Sequence, residues 1–256
     1  MALQRARLPL ALGGWAFFIA ENAVLSENRG WIMEELGEDG YYYLYGACST
    51  AASVGILYGY RALRLENRAL SIPNSSISGL RMGLAGGIMS VGLVLASQVL
   101  PKMQIPVWYS SSTGLTVRCP FDFSKKNTGS SPEIVTGLDR VSRHSSLWAL
   151  ALTTAGNAAL QPSLPLTLWM LGPTAVALLG GAHTDSRFRR GIGGHLDPLY
   201  EAQTSHLPFV AMLQQGTLTA WTKDDLKPLN AALAASAACL WVFVSRGRGP
   251  RVHLAR

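Results

Sequence analysis

Along the chain, long apolar stretches free of Lys, Arg, Asp and Glu alternate with polar connections. They cover residues 8–20, 40–60, 82–100, 147–182 and 229–245. A helix needs roughly 20 mostly apolar residues, at about 1.5 Å each, to cross a hydrocarbon core about 30 Å thick. The 36 residues of 147–182 are too many for one crossing. Gln161-Pro162-Ser163-Leu164-Pro165 divides them, because proline interrupts the helical ladder while Gln and Ser suit a turn at headgroup level. The first stretch extends through Glu21 to Leu25. The pattern therefore predicts about six membrane helices, over 8–25, 40–60, 80–100, 145–160, 164–182 and 228–245. That is an all-α polytopic bundle across residues 1–245, followed by a basic tail at 246–256. A soluble helical protein would need polar faces on these helices, and they have none.

Composition agrees: 48% of the 256 residues are hydrophobic and 14% charged, far below the roughly 25% charge of soluble domains. Disordered chains and solvent-exposed coiled coils are excluded on the same ground. The net charge of +7 reads as Lys and Arg among headgroups rather than as a nucleic-acid surface. Those cations divide almost evenly between the two sides, so orientation is not set. Arg5 and Arg7 ahead of the first stretch resemble a signal sequence, but Glu21-Asn22 replaces a small-residue cleavage site and a retained helix is expected. Small residues recur four apart at Gly83/Gly87, Ala231/Ala235 and Ala234/Ala238, the spacing of close helix contacts. Tyr41, Tyr42, Tyr43, Trp108, Tyr109 and Trp148 lie near span ends, where amphipathic rings favour the interface. Residues 101–146 read as an irregular loop.

Few residues carry candidate chemistry. Glu21 is the only acid inside an apolar span, either a binding residue or the partner of an arginine. After the fifth span, His183, Asp185, Arg187 and Arg189 offer donors for an anionic group such as a haem propionate or a lipid phosphate. The same residues would also serve as a basic segment anchored among headgroups. His144, at the start of the fourth span, is either a haem or metal ligand or a helix-end residue. Cys48, Cys119 and Cys239 form no metal-binding pair, and no phosphate loop, nucleophile elbow or His-x-x-x-His spacing occurs.

Several of these segments, in order, resemble the NnrU family of multi-pass membrane proteins, which includes the plant and cyanobacterial 15-cis-zeta-carotene isomerases. The resemblance is carried by Gly137-Leu138-Asp139-Arg140-Val141-Ser142-Arg143-His144, by Trp148-Ala149-Leu150-Ala151-Leu152 with Gly156-Asn157, and by the run from Gly181-Ala182 to Thr204-Ser205 and Pro208-Phe209. Ser26, Arg29, Tyr43 and Tyr45 fit the opening. The resemblance implies a plastid membrane, an apolar or tetrapyrrole ligand and, in the isomerase branch, haem b held between two intramembrane histidines. In this chain Glu21 and Leu152 stand at those two positions. His144 and His183 are then the expected metal ligands, with Arg187 and Glu21 completing the cofactor site. Two functions follow as expectations: cis-trans isomerisation of a carotenoid, or a non-enzymatic membrane subunit or assembly factor that works with other membrane proteins.

Overall fold

The computed structural model describes all residues except 1, 70–77, 100–106, 111–113, 118–134, 162, 221–224 and 247–256. The expected basic tail and Cys119 therefore lie outside the described residues. Helices dominate. In chain order they are α1 (Ala2–Glu27), α2 (Arg29–Ala69), α3 (Gly79–Val99), α4 (Ser145–Ala159), α5 (Leu164–Met170), α6 (Gly172–Arg189), α7 (Pro198–Gln203), α8 (Val210–Gln214) and α9 (Pro228–Arg246). Between α3 and α4, where the sequence read as irregular, β1 (Val107–Ser110) and β2 (Gly114–Val117) pair as an antiparallel ribbon, and Gly137–Arg140 makes a 3-10 turn.

The first rod passes almost unbroken from α1 into α2, because helical hydrogen bonds bracket Asn28 (Asn28 N to Val24 O, Ile32 N to Asn28 O). The chain reverses at Gly37, whose φ of 74° and ψ of 171° suit a residue without a Cβ. Beyond it α2 runs back along α1, so that Tyr45 meets Asn22, Ser49 meets Glu21 and Ile56 meets Gly14. The second proline-bearing rod is bent rather than cut. Pro173 lies in the first turn of α6, yet Leu171 and Ala175 carry helical bonds across the junction with α5.

α3 packs between α4 and α9, and α6 joins the α3–α4 pair to the α1–α2 pair. Ala85, Met89, Leu160, Ala238 and Val242 form one core cluster, and Leu95, Val141, Ala149 and Met212 another. The close α3–α4 contact is made at Gly92 and Gly156, where an added Cβ would meet backbone atoms of the facing helix. Gly83 and Gly87 have nothing within 4 Å, so the expected contact at that pair is not made. Ala238, by contrast, is fully buried in the core. Tyr41 is buried as well, edge-on to Tyr42 and tilted against Tyr45 rather than displayed at a surface.

Among the described residues, three helical stretches are long and apolar enough to cross a membrane: Gly79–Val99, Leu164–Arg189 and Pro228–Ser245. The other expected spans fall short for visible reasons. α4 has only 15 residues, and residues 40–60 are diluted by Tyr41, Tyr42, Tyr43, Tyr45, Ser49, Thr50 and Tyr58. α1 carries Glu21 and Asn22 in its apolar stretch.

Candidate functional site

The C-terminal ends of α1 and α6 and the N-terminal end of α4 meet at one end of the bundle. Asp185, one turn before the end of α6 and 4% exposed, is the hub. Its Oδ2 accepts from Arg143 NH2 and its Oδ1 lies against His144 Nε2, each at 2.8 Å. A carboxylate can only accept, so His144 donates from Nε2. Arg143 also ties down the returning chain. Its NH1 donates to the carbonyls of Glu201 and Thr204 and to Thr204 Oγ1, at 3.2, 2.9 and 3.0 Å.

His206 completes the group. Its carbonyl accepts from Ser142 Oγ at 2.7 Å and Trp148 Nε1 at 2.8 Å, while its ring stands nearly perpendicular to that of His144 with centroids 5.3 Å apart. Both rings lie against Gly181, where a Cβ would come within 2.3 Å of His206 Cε1 and 3.0 Å of His144 Cδ2. His206 Nδ1 is buried without a hydrogen-bond partner. Burial, reinforced by the neighbouring His144 and by Arg143, holds the His206 pKa below its ordinary value and keeps the ring neutral. Burial likewise keeps the nearby Tyr200 hydroxyl protonated.

A second group joins α1 to α6. Ser26 Oγ and His183 Nε2 are 3.1 Å apart, Arg187 NH1 donates to the Ser26 carbonyl at 3.1 Å, and Arg190 grips Glu27 with two bonds of 2.5 and 2.9 Å. Arg190 thereby holds the Glu27 carboxyl below the usual carboxylate range. A third group lies deeper between α1 and α2. The buried Glu21 Oε1 accepts from Asn22 Nδ2 at 2.6 Å and Ser49 Oγ at 2.9 Å, Tyr45 OH donates to Asn22, and Glu21 Oε2 has no partner.

The expected cofactor residues thus divide among three places. His144 stands in the first group, His183 and Arg187 in the second, Glu21 in the third. His183 is not among the three metal-capable donors brought together, which are His144, Asp185 and His206. His206 lies in the same long loop as His183 and His195, without paired histidine spacing, so the sequence gives it no metal-ligand role; the signal was its place inside Thr204-Ser205-His206-Leu207-Pro208-Phe209. His195 is exposed.

The described residues do not fit a haem held between two histidines. At the two positions that the NnrU resemblance assigns to haem ligands, Glu21 is occupied by Asn22 and Ser49, and Leu152 packs into the apolar cores around Val141 and Trp148. The His144 and His206 rings, seated together on Gly181, leave no gap for a macrocycle between them. Comparison with protein-family models, with curated proteins and with solved structures finds no match.

Proposed function

We propose that the protein is a multi-pass integral membrane protein of NnrU-like architecture, with about six spans, that handles an apolar polyene or tetrapyrrole molecule taken from the bilayer. The observation that carries this reading is the distribution of side chains. Leu80, Leu229, Phe243, Trp31 and Leu57 project outward at 65–75% exposure, while Glu21, Asp185 and Arg187 are buried with polar partners. Water as solvent would penalise the exposed apolar half, whereas hydrocarbon favours it and requires buried polar groups to find partners inside the protein, as these do. A carotenoid cis-trans isomerase is the activity to which the NnrU resemblance leads, in a plastid membrane.

The second reading is a non-enzymatic membrane subunit or assembly factor. It is favoured by Glu21 and Leu152 at the two positions where the isomerases carry histidine. Two experiments separate them. The purified protein in mild detergent is incubated with hemin and its absorption recorded; a Soret band supports haem-assisted chemistry, and its absence removes that version. Expression in a carotene-accumulating bacterium lacking the isomerase then reads the chemistry directly. Restored product supports the enzyme. No product, together with co-purification of a stoichiometric partner in the native membrane, supports the subunit.

A further inference from the structure

We propose that His144, Asp185 and His206 form a binding site for one divalent transition-metal ion of the zinc class. The inference rests on the geometry of this cluster and holds whether or not the isomerase reading does. One donor atom from each residue lies within 4.8 Å of the other two, close enough for a single ion to draw them together. Two imidazoles and one carboxylate are the donors that select zinc, cobalt or nickel over calcium and magnesium, which want oxygen. Three protein donors leave a fourth position for water or a ligand, as in catalytic zinc sites.

The surroundings support the assignment. His206 Nδ1 is buried without a well-formed hydrogen bond, and an ion would satisfy it. Asp185 Oδ2 is held by Arg143, which orients the carboxylate so that Oδ1 faces the imidazoles. Arg143 is in turn locked by the Glu201 and Thr204 carbonyls, so the donor set sits on a rigid frame. Gly181 supplies the absent Cβ that lets both rings lie against α6. On binding, the ion replaces the proton shared between His144 Nε2 and Asp185 Oδ1, and that proton leaves to solvent. The guanidinium nearby disfavours added positive charge, which makes a site of moderate rather than extreme affinity the expectation.

The test uses the full chain in detergent, purified without a histidine tag, stripped with chelator and titrated with Co(II). The wild type should take up one ion per chain and develop the visible absorption of a low-coordinate cobalt site. His206→Gln and His144→Gln should each lower affinity by more than the roughly 10–100-fold that loss of a supporting partner costs. His183→Ala, in the neighbouring group, should bind as the wild type does. His206→Gln keeps the backbone carbonyl that Ser142 and Trp148 use, so its fold is expected to survive. X-ray absorption of the wild-type cobalt form, which needs no variant, should find two imidazole ligands. Uptake below one ion per chain, fewer than two imidazoles, or equal losses in His183→Ala and His206→Gln would each overturn the proposal.

Discussion

The α3–α4 crossing can be tested through a single methyl group. An added Cβ at Gly92 would lie 2.3 Å from the Thr153 nitrogen, 2.6 Å from Thr153 Oγ1 and 2.9 Å from the Leu152 carbonyl carbon. At Gly156 it would lie 2.7 Å from the Ala85 oxygen, 2.7 Å from the Met89 nitrogen and 2.9 Å from Met89 Cβ. Comfortable separations are about 3.5–4.0 Å, so the helices must move apart by roughly 1 Å. Backbone atoms cannot escape by a rotamer change, which puts the cost at the upper end of overpacking, about 3 kcal/mol. Alanine's better helix propensity returns about 1 kcal/mol, leaving a net loss of about 2 kcal/mol for Gly92→Ala. Gly83 and Gly87 lie on the same helix with nothing within 4 Å, so alanine there gains propensity at no steric cost. For a chain of this size about 2 kcal/mol corresponds to a melting shift of roughly 4–8 °C. Thermal unfolding in one detergent should therefore show Gly92→Ala several degrees below the parent, with Gly83→Ala and Gly87→Ala at or above it. A Gly92→Ala variant melting with the parent, or a destabilised Gly83→Ala, would refute the close approach.

Three further outcomes follow from the polar groups. Asp185→Asn takes the anion from a buried pair with Arg143, whose side chain is 8% exposed, and should cost about 3–5 kcal/mol; a double-mutant cycle with Arg143→Met in detergent unfolding should return coupling of about 0.5–3 kcal/mol. His206 has a folded pKa below its unfolded value near 6.5, so the unfolded chain binds the extra proton; with chelator present, stability should be complete above about pH 6.5 and fall on acidification, and melting curves across pH 5–8 should show that slope flattened in His206→Gln. Glu27→Gln removes an anion from an exposed pair with Arg190, where solvent screens the interaction, and should leave the melting temperature within about a degree or two of the parent.

The rods were legible because apolar runs measure their own length, and the Pro162–Pro165 break separated two of them where α4 gives way to α5. What spacing could not show is direction around a helix. Gly83 and Gly87 satisfy the small-residue rule as well as Gly92 does, yet only Gly92 faces another backbone, a fact fixed by α4 rather than by α3. The polar hub was half visible. His144, Asp185 and Arg143 stand out beside apolar spans, but the bond between them closes a gap of more than 40 residues, and His206 enters through a loop with no local periodicity. The spans at 8–25 and 40–60 place the reversal between residues 26 and 39, but which residue turns the chain is shown only by the backbone angles of Gly37.

The shortness of α4 explains why so much polarity is gathered at its first residue. Fifteen residues rise only about 22 Å, less than the roughly 30 Å of a hydrocarbon core. On the membrane reading, one end of α4 falls inside the core, and non-helical backbone there must find every partner within the protein. The segment from Thr204 to Phe209 meets most of its carbonyls in this way. Ser142 and Trp148 answer the His206 carbonyl, the Arg143 amide answers Ser205, Arg143 NH1 answers Thr204, and the Phe209 amide answers Val141. α8 then seals the join by placing Met212 against Leu95, Val141 and Ala149. A helix too short to span is thereby completed by a returning loop, and the charge that stitches the loop in place, Arg143 with Asp185, is also what positions the three donors at the site.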